Sequence, residues 1–488
     1  MTIKTRFAPS PTGYLHIWSL RTVLYNYLYA KQKWGKFMLR VEDTDRTRLV
    51  EDSIENMLNI LEKFGMTPDE GPNNDLWNWP YIQSERLEIY HKYIGELIEK
   101  DKAYYCFCTP ERLTELREEQ QALKLPTKYD GHCRFLSEEE ITEKLDAKIP
   151  YTVRLKVPKD ENVEFVDAVK WKISIPSKDV DDQVLLKTDG FPTYHFAVVV
   201  DDYLMKVTDI IRWDEWIPST PKHVLIYRAF GWEIPNISHI PPLIWANKKK
   251  LSKRDWDVAV EQYLEKGYLI EAIINYLALL GWNPKTTEEF FSMSELIERF
   301  DLSAVHKAGA FFDVERLDFF NAHYLKNTEI WELYEKFKKY LKEYDSEFLE
   351  KISNYSDEYN KKILSELSTK IKKFDEFKEL TTYFYWEYSF PTDDLILNPK
   401  MKLENREDVE KALNISLDIL ENEKFESIDD LKNLFIQKIK EAEMKNGQVL
   451  WPTRCALSWE KFSPWAFEMI FILWKEESIS RIKQYLSI

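Results

Sequence analysis

The chain has 488 residues, 44% hydrophobic, 15% aromatic and 31% charged, a balance that supports filled cores under a charged surface and excludes general disorder. At about 100 to 200 residues per domain it is predicted to be multidomain, and its net charge of −16 excludes RNA binding by uniform attraction, so any RNA contact requires local basic patches. No run of about 18 apolar residues occurs, and Met1 to Pro11 lacks a basic region followed by an apolar stretch, so a cytoplasmic protein with no membrane partner is expected.

From Thr5 to Leu39 the pattern reads as the start of a βαβ unit, with Lys4 to Ala8 extended, Pro9 to Gly13 a turn, Leu20 to Lys33 an amphipathic helix and Lys36 to Val41 extended. Helical stretches follow at Ser53 to Gly65 and Ser84 to Lys100, then a cysteine-containing segment that reads as an insertion. Strands are predicted at Tyr151 to Val157 and Gln183 to Leu186. The apolar run Thr193 to Asp201 suits a buried parallel strand at which the first fold resumes. After Asp257 the pattern is almost wholly helical, with a loop at Asn283, Pro284 and Lys285. Little β signal remains from Thr328 to Ile488. Charge runs such as Lys336 to Glu343 read as solvated helix faces. There is no internal repeat or low-complexity segment.

Four cysteines cannot form a disulfide framework in so long a chain. Cys455 is expected to be a buried thiol. Cys106, Cys108 and Cys133 cluster in the insertion with Tyr129 and His132 beside the last of them, so they are either three reduced core thiols or a tetrahedral Zn²⁺ site. In the second case the fourth ligand would be Tyr129 or His132.

Two segments carry nucleotide chemistry. Arg6-Phe7-Ala8-Pro9-Ser10-Pro11-Thr12-Gly13-Tyr14-Leu15-His16-Ile17 is a turn entering a helix, which presents backbone N–H groups to phosphate where small residues such as Gly13 allow close approach. Far downstream stands Lys249-Lys250-Leu251-Ser252-Lys253-Arg254. His16 and Lys253 are suitable donors to negative charge building on a phosphate. Taken singly, they read equally well as a helix-entry histidine and a solvated lysine loop.

Together these segments resemble the two signature motifs of class I aminoacyl-tRNA synthetases, and specifically the glutamyl branch. The resemblance extends through Arg40-Val41-Glu42-Asp43-Thr44-Asp45-Arg46, Pro80-Tyr81-Ile82-Gln83-Ser84-Glu85-Arg86, Asp189-Gly190-Phe191-Pro192-Thr193-Tyr194-His195 and Ser219-Thr220-Pro221-Lys222-His223. It implies a multidomain α/β chain, with a Rossmann-like core, an inserted α/β domain and an all-α C-terminal anticodon-binding domain. The implied boundaries are 1–95 and 189–247 for the two halves of the core, 96–188 for the acceptor-binding insertion, 248–328 for a stem-contact region and 329–488 for the anticodon domain.

The resemblance further implies activation of L-glutamate by ATP to glutamyl-adenylate, then transfer to the 3′ end of tRNA(Glu) with release of AMP and pyrophosphate, and a monomer is expected. Arg6, Ala8, Ser10, Glu42, Tyr194 and Arg212 would surround the amino acid, an Arg6 or Arg212 guanidinium meeting its side-chain carboxylate and Glu42 its ammonium group. His16, Lys250, Leu251, Ser252, Lys253 and Arg254 would bind ATP, with Mg²⁺ bridging phosphates and His16 and Lys253 stabilising the transition state. The cysteine spacing resembles the zinc site of some glutamyl synthetases, in which a tyrosine at the position of Tyr129 can ligate, whereas other versions place a histidine where this chain has Phe135; the role of the zinc would be structural. A non-discriminating enzyme that also charges tRNA(Gln) is an alternative, with Lys370, Lys372 and Lys373 candidates to face the anticodon.

Composition carries one anomaly: there are 12 glycines, where usage of about 7% would give about 34, alongside 17 tryptophans. At family glycine positions this chain reads Trp18, Trp34, Trp77, Trp79, Trp171, Trp213, Trp245, Trp256, Trp459, Trp465 and Trp474. Trp216, Trp232, Trp282 and Trp451 sit where the family accepts tryptophan, and Trp331 and Trp386 have no glycine counterpart. A gene in which UGA encodes glycine, translated as though UGA meant tryptophan, accounts for the first eleven and leaves the other six as genuine tryptophans. The rival is a tRNA-binding pseudoenzyme whose nucleotide site is filled by Trp18 and Trp256.

Overall fold

The structure, a computed structural model, describes residues 2–44, 50, 52–74, 80–245, 259–385, 393–460 and 463–487. The chain divides into two compact units, Met1–Gln262 with Ile270–Val314, and Tyr263–Leu269 with Glu315–Ile488.

The first unit is mixed α/β. Strand β1 (Lys4–Phe7), helix α1 (Ile17–Gln32) and strand β2 (Lys36–Leu39) form the predicted βαβ start. β1 and β2 pair in parallel, with Lys4 opposite Lys36 and Phe7 opposite Leu39. Helix α2 (Ser53–Lys63) and helix α3 (Leu87–Glu99) lead to β3 (Ala103–Cys106), α4 (Pro110–Ala122), α5 (Glu138–Asp146) and β4 (Thr152–Leu155). Local signals set these helices. Thr109 caps α4 with Pro110 in its first turn, and Ser137 with Glu140 forms a capping box on α5.

Next come β5 (Asn162–Asp167), β6 (Trp171–Pro176) and β7 (Val184–Leu186). β3, β4 and β7 make an antiparallel sheet. After α6 (Tyr194–Leu204), β8 (Asp209–Trp213), α7 (Thr220–Phe230) and β9 (Asn236–Ile240), the order β6-β5-β9-β8 forms a second sheet. The β5–β6 hairpin thus borders the parallel pair β8–β9 rather than β3, β4 and β7. β10 (Leu243–Trp245) pairs in parallel with β11 (Ala310–Phe312).

One expectation is corrected. The run Thr193 to Asp201, read as a parallel strand, falls in helix α6, with Thr193 at the N-cap position and its hydroxyl donating to the Val184 carbonyl. Phe196, Ala197, Val198, Val199 and Val200 are all buried, so these five consecutive apolar residues show no period to separate a helix from a strand. The parallel strands of this half are β8 and β9, with Asp209 opposite Asn236 and Trp213 opposite Ile240.

The second unit is helical, and no strand occurs among its described residues. Ile330–Tyr344 shows how its helices are built: Leu333, Tyr334, Phe337 and Leu341 are buried, while Lys336 pairs with Glu332 at 2.9 Å and Lys338 with Glu335 at 2.7 Å. The charge run is a solvated face, as its pattern predicts. Cys455 is buried.

Candidate active site

Two consecutive carboxylates on α6 organise the site. Arg6, at the end of β1, is buried and sends Nε and Nη2 to the two oxygens of Asp202, each at 3.3 Å. Arg40, just past β2, donates from Nη1 to the same carboxylate at 2.8 Å and from Nη2 to Glu42 at 3.0 Å. Asp201 accepts from Gln83 Nε2 at 2.9 Å, Arg86 Nε at 2.9 Å and the Tyr90 hydroxyl at 2.8 Å. Buried charges are tolerated only when paired and hydrogen-bonded, and here every carboxylate is met. Burial alone would raise the Asp202 carboxyl, but Arg6 and Arg40 hold it below the usual carboxylate range. At Glu42 burial outweighs Arg40 and pushes the carboxyl up to about 7.

Arg212, on β8, has a different setting. Its Nε donates to His239 Nε2 at 3.1 Å, its Nη2 to Thr220 Oγ1 at 2.9 Å, and its Nη1 lies 3.1 Å from His223 Nδ1. The guanidinium is buried yet has no carboxylate within ion-pair distance among the described residues. Tyr194, the first residue of α6, packs against Trp216 with the rings tilted by 33° and centroids 4.4 Å apart. Its phenol is raised to about 12 by burial and feels Glu42, Arg212, Arg6 and Asp202. Four of the predicted amino-acid residues, Arg6, Glu42, Tyr194 and Arg212, therefore converge on one buried locus. Ala8 is half-buried and Ser10 exposed, in a turn tied to Glu42 by a 2.9 Å bond from the Glu42 N–H to the Pro9 carbonyl.

His16 caps α1 in extended geometry, at the helix end where backbone N–H groups favour phosphate. Its ring stacks on Trp18 with centroids 4.4 Å apart, and Trp18 meets Trp213 edge-on at 6.5 Å. The Trp213 indole N–H donates to Thr22 Oγ1. Two indoles thus crowd the N-terminal end of α1. Lys250, Leu251, Ser252, Lys253, Arg254 and Trp256 lie outside the described residues.

In the segment predicted as an insertion, the sulfurs of Cys106, Cys108 and Cys133 lie within 4.8 Å of one another. The Tyr129 hydroxyl is 3.4 Å from both Cys106 Sγ and Cys108 Sγ, whereas His132 is exposed. Three thiols and a phenol oxygen closing on one point fit the donor set of a tetrahedral zinc.

Sequence reasoning missed Asp167, Asp202, His223 and His239 as partners of the site. His223 was inside a quoted motif without a role. For Asp201 and Asp202 the available signal was two adjacent acids following a wholly apolar run, which demands buried cationic partners.

A model of the catalytic domain of class I tRNA synthetases (E and Q) matches residues 2–319, and an anticodon-binding-domain model matches residues 332–486. The chain is 45% identical over 486 residues to the glutamate–tRNA ligase of Clostridium tetani, covering 99% of this chain and 96% of that one. It is 43% identical over 503 residues to that of Clostridioides difficile, covering 99% and 98%. The crystal structure of a glutamate tRNA ligase from Elizabethkingia meningosepticum in complex with its amino acid matches with a TM-score of 0.90 at 35% identity, covering 100% of this chain and 99% of that one. The glutamate–tRNA synthetase of Elizabethkingia anophelis matches at 0.87 and 35%, covering 100% of both chains. The parallel βαβ start, the paired arginines and the all-α second unit thus define a class I aminoacyl-tRNA synthetase, with a Rossmann-like catalytic core and an anticodon-binding domain. Within that class, the chain belongs to the bacterial-type glutamate–tRNA ligases.

Proposed function

We infer that this chain activates glutamate with ATP and transfers it to the 3′ end of tRNA(Glu), with the amino acid held by Arg6, Glu42, Tyr194 and Arg212. The observation that carries this reading is Arg212, a buried guanidinium with no carboxylate partner among the described residues. Such a charge is costly until a ligand carboxylate meets it, and the three hydrogen bonds above leave at most two of its five N–H donors for one. Glu42 meets the substrate ammonium group once ionised. Ala8 and Ser10 line the turn that closes over the amino acid. His16 with Lys253 supports the departing pyrophosphate, while Lys250, Leu251, Ser252 and Arg254 complete the ATP site. Mg²⁺ bound with ATP would supply charge neutralisation for its phosphates. Parallel charging assays with tRNA(Glu) and tRNA(Gln) test the RNA partner: ATP-dependent acceptance by tRNA(Glu) alone is expected, and equal acceptance by both would replace this with the non-discriminating reading. Lys370, Lys372 and Lys373 are each ion-paired to a carboxylate, and no observation favours that second reading over the first.

A structural zinc held by Cys106, Cys108, Cys133 and Tyr129 is proposed from the donor set above. Elemental analysis should find about one zinc per chain, lost in Cys133→Ser, and a metal-free parent would remove the proposal.

The backbone supports glycine in the natural protein at four of the eleven family positions, and Trp77, Trp79 and Trp256 lie outside the described residues. Among described non-glycine residues with positive φ, the only apolar ones are Trp34, Trp171, Trp459 and Trp474, the remainder being Asp, Lys or Glu. All four belong to the eleven. Trp34 follows α1 as the left-handed residue of a Schellman motif, with Gly35 N–H bonded to Ala30 O at 2.8 Å and Trp34 N–H to Lys31 O at 3.1 Å. Trp474, at φ 66 and ψ 164 inside a helix, occupies a region adopted essentially by glycine alone. Trp34 is 93% exposed, whereas Trp282, one of the tryptophans the family accepts, is buried. Glycine at positions 18 and 213 would also clear the end of α1. Peptide mass spectrometry of the protein from its native host should read glycine at positions 18 and 474; tryptophan at both would make the pseudoenzyme the better reading.

A further inference from the structure

Arg212 is a donor-only group, and that property fixes the proton of every imidazole around it. His239 Nε2 accepts from Arg212 Nε, so the His239 proton is on Nδ1, which donates to Asp167 Oδ2 at 2.6 Å. His223 Nδ1 accepts from Arg212 Nη1, so its proton is on Nε2 and is donated to His195 Nδ1 at 3.0 Å. Burial keeps His223, His239 and His195 neutral by lowering each below the ordinary histidine range, as the arrangement requires.

Asp167 is the fixed end of this chain. Its Oδ1 accepts the backbone N–H groups of Val169 at 2.9 Å and Lys170 at 2.7 Å, and its Oδ2 accepts the His239 backbone N–H at 3.0 Å as well as Nδ1. Both Asp167 and His239 are fully buried. Asp167 ends β5 at the hairpin turn into β6, so the anchor of the relay is a turn outside the nucleotide-binding βαβ unit.

We propose that Asp167 and His239 are positioning residues that aim the Arg212 guanidinium at the glutamate side-chain carboxylate. The proposal rests on the reading of Arg212 as a substrate ligand. His239 offers Arg212 an acceptor that cannot itself become a counter-ion, so the guanidinium is oriented without being neutralised. That leaves its charge for the substrate, in contrast to Arg6, which is ion-paired to Asp202 within the protein. A carboxylate in place of His239 would orient Arg212 equally well and would compete with glutamate for it.

The test is glutamate binding by calorimetry together with steady-state charging of tRNA(Glu), on the full chain. His239→Phe keeps the ring and removes the acceptor. It should raise the glutamate Kd and KM about 10-fold or more, with KM for ATP and kcat little changed. His239→Gln, whose Oε1 can stand in for Nε2, should restore binding to within a few-fold of the parent. His239→Glu should bind glutamate no better than His239→Phe, since it supplies a competing charge. Arg212→Ala tests the underlying reading separately: if it binds glutamate like the parent, Arg212 is not a ligand and both ideas fall. If Arg212→Ala loses glutamate while His239→Phe retains parental affinity, the positioning role alone is overturned. It is likewise overturned if His239→Phe and His239→Gln lose glutamate, ATP and thermal stability in parallel, which is the signature of a merely structural pair.

Discussion

Glu42 carries two opposed demands. Ionised, it can neutralise the substrate ammonium group; buried, it is held up to about 7 from an ordinary 4.5 despite Arg40 at 3.0 Å. The folded state therefore retains the proton that the unfolded chain gives up near 4.5. The stabilising contribution is complete below 4.5 and is lost as pH rises through about 7. Glutamate affinity should run the other way and tighten as pH rises from 6 to 8. In Glu42→Gln that rise should flatten and glutamate affinity should fall. Relative to the parent, the variant should gain stability between pH 5 and pH 8, by about 3 kcal/mol at most, in urea titrations at the two values. A parent whose glutamate affinity is flat across pH 7 would contradict the assignment. At this scale the sequence was informative where chemistry lay inside a motif: Arg6, Glu42, Tyr194 and Arg212 were legible. Asp167 and His239 were not, because their partnership with Arg212 joins strands far apart in the chain and no local spacing reports it.

At the scale of elements, the backbone distinguishes tryptophans that the fold uses from those it only tolerates. The indole of Trp474 is about half exposed on a backbone position that disfavours any β-carbon. Trp474→Gly should therefore stabilise the protein by about 1–3 kcal/mol, measured by chemical denaturation. Trp282→Gly should cost about 3–5 kcal/mol by emptying a buried site. If both substitutions destabilise alike, position 474 is not a glycine site. The βαβ start, β4 and β7 were readable because their periodicity and turn residues are local. Helix α6 was misread for the reason that makes it central to the site: with five consecutive apolar residues buried and Asp201 and Asp202 turned to buried arginines, it shows neither an alternating nor a helical stripe. The pairing of the β5–β6 hairpin with β9 was equally invisible, since a sheet edge is specified by tertiary packing.

Over the whole molecule, a net charge of −16 argued weakly against an RNA partner, and family membership over residues 2–319 and 332–486 overrides it. No described helix is long and apolar enough to cross a membrane. The division into a mixed α/β unit and a helical unit was legible from the change of pattern along the chain. The central claim concerns the Arg212 guanidinium, which meets no carboxylate among the described residues, and the most direct measurement is ATP-dependent charging of tRNA(Glu) with labelled glutamate by the full chain and by Arg212→Ala. The expected result is charging by the parent and a fall of about 10²-fold or more in kcat/KM for glutamate in the variant. Charging by Arg212→Ala at the parental rate would contradict it.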